Sequence, residues 1–209
     1  MTSASRLRSN RTSVDVSGAL HANAARGGSG RPCTLWFTGL SGAGKSTLAS
    51  ALARHLAERG QAAHVLDGDV LRNGLSSDLG FGPDDRRENV RRVAEVCRLM
   101  NDAGLIVIAA LISPNSMDRT MARRIIGPES FVEVYLDADL AVCERRDPKG
   151  LYARARAGAI PEFTGISAPY DVPSAPELVV RTGSDPVERC VDQLLSHLDS
   201  WRRAARMGP

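Results

Sequence analysis

The sequence predicts an α/β fold: a central parallel sheet with helices on both faces. Three observations carry this. Short apolar runs alternate with stretches of helical spacing along most of the 209 residues, the pattern of strands crossed over by helices. One run, 105–112, is apolar without a break, as a strand buried on both faces must be. A glycine-rich turn falls between the first apolar run and the first helical stretch.

Taken in order, residues 1–31 are rich in Ser, Ala, Gly and Arg, with Asp15 the one acidic residue among the first 30. They can bury little, so a disordered tail and linker is expected before a domain at 32–201, with Gly27-Gly28-Ser29-Gly30 as the flexible joint. An organelle transit peptide would share this composition. Cys33–Thr38 reads as the first strand. Ser46–Arg59 carries Leu48, Leu52 and Leu56 at helical spacing, and Gly60 stops it. Ala62–Leu66 is a second strand running into Asp67-Gly68-Asp69. Asp84–Ala103 reads as one long helix with an acidic start and Val93, Val96, Cys97 and Met100 on one side. After the 105–112 strand come a basic helix at Met117–Ile126, a strand at Phe131–Leu136 and a short helix at Leu140–Arg145. Residues 147–177 are rich in proline and glycine and show little periodicity. An irregular stretch this long in a compact domain is usually functional or disordered. Leu178–Val180 is a last strand, Pro186–Trp201 a closing amphipathic helix, and 202–209 a tail.

The net charge of +3 is too mild to indicate nucleic acid. Arg greatly outnumbers Lys; Arg suits bidentate binding of phosphate or sulfate, and codon bias is the blander account. Cys33, Cys97, Cys143 and Cys190 are scattered, so neither a zinc site nor a redox pair is indicated, and reduced thiols in the cytoplasm are expected. No apolar run reaches the ~18–20 residues that span a bilayer, and the start lacks a secretory apolar region.

Gly39-Leu40-Ser41-Gly42-Ala43-Gly44-Lys45-Ser46, followed by Thr47, matches G-x-x-x-x-G-K-[ST] with a strand before and a helix after. Such a loop turns successive backbone N–H groups toward phosphate oxygens, and the helix adds its positive end. Lys45 is expected to reach the β- and γ-phosphates of ATP, and Ser46 to ligate Mg²⁺. The fold class is then a three-layer P-loop kinase fold. The phosphate loop also needs a carboxylate near the metal. Asp67 and Asp69, at the carboxyl end of the second strand, supply the candidates; an Asp-Gly turn with a helix-capping Asp is the plainer reading of the same residues.

Further along, several motifs occur together. Leu66-Asp67-Gly68-Asp69, then Arg72 and Asp78-Leu79-Gly80-Phe81, resembles the acceptor region of adenylylsulfate (APS) kinases. So does Asp85-Arg86-Arg87-Glu88-Asn89 with Arg91-Arg92. Ile112-Ser113-Pro114 resembles the family's I-S-P motif. Arg146-Asp147-Pro148-Lys149-Gly150-Leu151-Tyr152, Ala155-Arg156-Ala157-Gly158 and Phe163-Thr164-Gly165-Ile166 resemble its mobile lid, which falls at about 147–177. The similarity runs from about Pro32 to Val180. It implies transfer of the ATP γ-phosphoryl to the 3′-hydroxyl of APS, giving 3′-phosphoadenosine 5′-phosphosulfate. It also implies Mg²⁺, small-molecule substrates only, with no nucleic acid or membrane, and a homodimer. In that reading Lys45, Asp67, Asp69 and Ser113 are the candidate catalytic residues, with Asp69 at the acceptor hydroxyl and Asp67 with Ser46 at the metal. Arg72, Arg86, Asn89, Ile112, Ser113 and Lys149 hold APS, and Phe81 and Phe163 stack on its adenine. Ser113 matches a serine described in the family as a phosphoserine intermediate. In-line transfer needs only positioning and charge neutralisation, so Ser113 reads as a substrate contact.

Departures from the family pattern are Val70 in place of Asn, Asn115 in place of an aromatic, and the less acidic Ile166-Ser167-Ala168-Pro169-Tyr170-Asp171. Two alternatives remain open. Another small-molecule kinase would share the loop but would not need Phe81, Arg86, Asn89 and Phe163 together. A catalytically silent ATP-binding regulator would have lost Lys45, Ser46 or the Asp67/Asp69 pair.

Overall fold

The computed structural model describes residues 31–207; the expected tail over residues 1–30 lies outside them. Five strands, β1 (Thr34–Thr38), β2 (Ala63–Asp67), β3 (Ile106–Ala110), β4 (Phe131–Leu136) and β5 (Leu178–Val180), form one sheet in the order β2-β3-β1-β4-β5. Every neighbouring pair is parallel, with Leu35 opposite both Ile108 and Val132. All carboxyl ends therefore open on one edge, where such sheets bind ligands.

The helices are α1 (Lys45–Glu58), α2 (Gly68–Arg72), α3 (Pro83–Asp102), α4 (Ser116–Ile126), α5 (Leu140–Arg146), α6 (Leu151–Arg156) and α7 (Val187–Met207). Alternation along the strands sends side chains to two separate cores. Leu35, Phe37, Ile108 and Val134 pack with Leu48, Leu52 and Leu56 of α1 and Leu194 and Leu198 of α7. Trp36, Val107, Ala109 and Phe131 pack on the other face with Val93 and Cys97 of α3 and Ala122 and Ile126 of α4. Trp36 and Phe131 stack with ring centres 5.7 Å apart. Both faces are thus covered, which is why the strands read as unbroken apolar runs. All four cysteines are free and buried. No helix among the described residues is long and apolar enough to cross a membrane.

Element boundaries differ from the sequence pattern where local bonds override it. The apolar run 105–112 leaves the sheet after Ala110, because Ser113 takes a left-handed backbone (φ 39°) and Pro114 follows. Two short helices were not expected. Asp67 caps α2 by accepting from the Asp69 N–H at 2.9 Å. Asp147 starts α6 by accepting from the N–H groups of Tyr152 and Ala153, each at 3.0 Å. The closing helix runs on to Met207 rather than ending at Trp201. Arg202, expected in a tail, is buried and donates to Gln61 Oε1 at 2.8 Å, which gives this turn a reason to stay helical.

Candidate active site

The carboxyl edge of the sheet opens into a cleft of about 1080 Å³. Its floor is the phosphate loop between β1 and α1. Gly42 sits at φ 76°, and a Cβ there would lie 2.9 Å from the Cys143 carbonyl; Gly44 caps α1 at φ 92°. Only glycine fits both positions. The loop is held through its carbonyls: the Tyr152 hydroxyl donates to Ser41 O at 2.9 Å, and Arg146 Nη1 to Gly42 O at 3.3 Å. Lys45 Nζ donates to Gly39 O (2.9 Å) and Leu40 O (2.7 Å). The first-turn amides of α1 have no acceptor within the helix, and with the helix dipole they make the loop an anion site. Burial pushes the Lys45 ammonium down to about 8, against the opposing pull of neighbours that include Asp69 and Asp67.

Asp67 joins the loop to the acceptor side. Its Oδ2 accepts from Ser46 Oγ at 2.5 Å while Oδ1 caps α2. The capping role and a metal role are therefore compatible in one side chain. Asp69, in the first turn of α2, is exposed and carries an ion pair with Lys149. The two exposed side chains meet across the cleft, from α2 on one side and the covering segment 147–177 on the other. Thr47 is exposed on the first turn of α1 and lines the same floor.

The other expected residues gather at the far end. Arg72 donates to Gly80 O at 2.7 Å and stands 4.4 Å over the Phe81 ring. Phe81 is 66% exposed, so it is no core anchor; its free face lines the cleft. Asn89 is buried with its side-chain oxygen unpartnered, a group whose burial needs a donor. Burial, and then the Arg86 charge, disfavour the Arg72 cation, so this end of the cleft would welcome an anion. Arg86, however, spends its guanidinium within the protein: Nε donates to Phe81 O, Nη1 to Thr164 Oγ1 and Nη2 to Glu162 O, at 2.6, 2.9 and 2.9 Å. It ties α3 to the covering segment. Phe163 lines the cleft but is buried, packed edge-on against Tyr152 at 5.0 Å. Ile112 and Ser113 line it too, and Ser113 Oγ accepts from Trp36 Nε1 at 3.1 Å.

Three departures from the family pattern also have places. Asn115 caps α4, accepting from the Met117 N–H at 2.8 Å; an Asn before an apolar-periodic stretch was a readable signal for this. Val70 is exposed on α2. Tyr170 and Asp171 bind the covering segment to the end of β1 and to the start of α4. The motifs do not mark Arg146, Arg154, Thr182 or Val187 as site residues, yet all four line the cleft. Arg146 bridges Gly42 O and Thr182 O. Among the described residues the Arg154 guanidinium has no hydrogen-bond or ion-pair partner. Thr182 and Val187 come from the β5–α7 connection and the start of α7, where no motif singles them out.

Known proteins resemble this chain in sequence and fold. Residues 31–181 fit the pattern of the family described as adenylylsulphate kinase. The adenylyl-sulfate kinase of Marinobacter nauticus is 58% identical over 168 residues, 80% of this chain and 84% of that protein. The one from Paraburkholderia xenovorans is 58% identical over 175 residues, 84% and 97%. Among solved structures, the Mycobacterium tuberculosis APS kinase CysC in complex with AMPPNP and APS superposes with TM-score 0.78 at 46% identity, covering 81% of this chain and 99% of that one. A gluconokinase from Sinorhizobium meliloti, 17% identical with TM-score 0.57, shares the fold alone. With the phosphate loop, the carboxylate pair and the arginine-rich far end opening into a single cleft, the chain belongs to the adenylylsulphate kinase family.

Proposed function

We propose that this chain transfers the γ-phosphoryl of ATP to the 3′-hydroxyl of APS, giving ADP and 3′-phosphoadenosine 5′-phosphosulfate. The observation that carries the reading is the single chain of contacts from the phosphate loop through Ser46 and Asp67 to Asp69 and Lys149. It supports a role for the exposed Asp69 carboxylate at the acceptor hydroxyl, beside the phosphate loop. ATP lies along the floor, its phosphates on the loop amides and Lys45. Its base lies toward Thr182 and Val187. APS lies at the far end, its adenine against the free face of Phe81, with Arg72 and Asn89 in reach. Phosphoryl transfer asks little covalent chemistry of the protein; the residues position and neutralise. Lys45 balances charge on the transferred group, and Arg154 is a further cation free to do so. Asp69 orients the acceptor hydroxyl and takes its proton as the oxygen attacks phosphorus. Released from Asp69, Lys149 can turn to the APS anion.

Ser46 and Asp67 offer the hard oxygen donors that suit Mg²⁺ and would hold it. Bound there, it would supply charge neutralisation to the phosphates. The buried free thiols fit a cytoplasmic setting.

A coupled ADP-release assay tests the proposal. APS should be turned over, while shikimate, sugar acids and nucleoside monophosphates should not. Asp69→Asn should lower kcat by about 10²–10⁴-fold, the usual worth of a positioned acid/base group, with little change in KM for ATP. Turnover of another acceptor in place of APS would overturn the substrate; a loss under about tenfold would overturn the role of Asp69.

A further inference from the structure

The loop that carries Ser113 into the cleft is held from three directions. Thr38 Oγ1 of β1 donates to Ile112 O at 2.7 Å, Arg119 Nη1 of α4 to Ser113 O at 2.8 Å, and the Asp171 N–H of the covering segment to Pro114 O at 2.9 Å. Three successive carbonyls are taken by three different elements. Ser113 needs this, because a non-glycine residue at φ 39° persists only where its surroundings over-determine it.

Arg119 is the member that joins these holds. It is buried, 4% exposed, inside α4. Besides Ser113 O, its Nε donates to Glu133 Oε1 of β4 at 2.7 Å and its Nη2 to Asp171 O at 2.7 Å. Its guanidinium stands 5.8 Å over the Tyr170 ring, whose hydroxyl bonds Thr38 Oγ1 at 2.9 Å. Neither Arg119 nor Glu133 lines the cleft, so the pair acts through what it holds. One planar fork spans an acceptor on each of three elements, a span that a lysine ammonium cannot reproduce.

We propose that Arg119 is the positioning residue of the acceptor side, fixing the Ser113 loop and the exit of the covering segment at Tyr170–Asp171 as one body. The APS end of the cleft is then built together with its cover, while the phosphate loop is built independently by β1 and α1. The kinetic part of this inference rests on the APS kinase reading above. The structural part does not.

Three variants test it: Arg119→Lys, Arg119→Met, and Arg119→Met combined with Glu133→Gln. Arg119→Lys keeps a cation beside Glu133 and loses the fork. It should raise KM for APS about tenfold or more, the scale of a lost hydrogen bond from a charged group. KM for ATP should stay within about twofold. Arg119→Met leaves the partly buried Glu133 carboxylate with the longer 3.6 Å contact from Arg123, and its melting temperature should fall. Replacing Glu133 as well removes that under-compensated charge, so the double variant should regain stability while KM for APS stays high. A double variant of near wild-type stability and normal KM for APS would make Arg119 a fold residue only and overturn the proposal. So would KM values for both substrates rising together in step with lost stability. Limited proteolysis of the free protein gives a readout that needs no substrate: Arg119→Lys should be cut within 147–177 several-fold faster than wild type, and equal rates would overturn the shared body. If the wild-type protein fails to turn over APS, the function reading falls and the proteolysis result alone decides this one.

Discussion

Lys45 and Lys149 are the only lysines in a chain that otherwise uses arginine for its cations, and both line the cleft. An ammonium is compact and can lose its proton when buried, whereas a guanidinium is bulky and keeps its charge. The composition thus makes these two cleft residues stand out as exceptions to the arginine usage of the chain. The Lys45 shift has a definite sign. Burial disfavours the charged form, so the cation is present below about pH 8 and lost as pH rises through it. The unfolded chain holds the proton up to about its ordinary value of 10.5, so stability rises with pH between these limits. ATP binding needs the cation and should run the other way, weakening by up to about tenfold per unit above pH 8. A lysine-selective reagent should label Lys45 with a midpoint near that same value, and ATP should block it. Lys45→Met should flatten the ATP profile. An ATP Kd that does not change between about pH 7 and pH 9 would refute the charge argument. Other residues gave no such signal. The family resemblance assigns Arg86 to APS; that its guanidinium is engaged within the protein was not legible, because two of its partners, Glu162 and Thr164, lie far along the chain.

At the scale of elements, legibility followed length and locality. The strands and α1, α3, α4 and α7 were readable because each repeats its apolar spacing or runs apolar throughout. α2 and α6 are single turns or little more, set by Asp67 and Asp147 capping them, and a period cannot show in so few residues. That hid the most consequential feature of the covering segment, its small core. Tyr152 and Phe163 pack edge to face and join the α1/α7 core, so the segment is a docked piece rather than a loose flap. The two phenylalanines expected to act as a pair should then separate in experiment. Phe81→Ala removes an exposed ring and should raise KM for APS by about 5- to 150-fold, the worth of a base stack, with the melting temperature unchanged. Phe163→Ala empties a buried site and should cost about 3–5 kcal/mol of stability. It should also speed proteolysis at 147–177 whether or not ligand is present. Equal loss of stability in both variants would restore the symmetric pair and contradict the burial difference.

The whole molecule divides its labour across the sheet. The α1/α7 face meets the cleft at its edge, through the phosphate loop, the end proposed for the ATP base and the docked covering segment. The end proposed for the acceptor is built mainly by α3 and the loop before α4. The core under α7 should therefore support stability without tuning chemistry. Leu198 tests this. It is fully buried in the core shared with α1, and it lies eight residues, about 12 Å along the helix, from the cleft-lining Cys190. Leu198→Ala should cost about 2–5 kcal/mol, by lost burial and by the cavity left behind. For a domain of this size that is a fall of about 5–15 °C in melting temperature. Saturating ATP should restore about 2.7 kcal/mol at a hundredfold excess over Kd, because it binds only the folded chain. KM for both substrates should stay within about twofold, since no cleft residue has moved and the loss is of folding alone. A raised KM for ATP in this variant at a temperature well below its melting point would mean that packing along α7 sets the nucleotide site, and that the two faces are not separable.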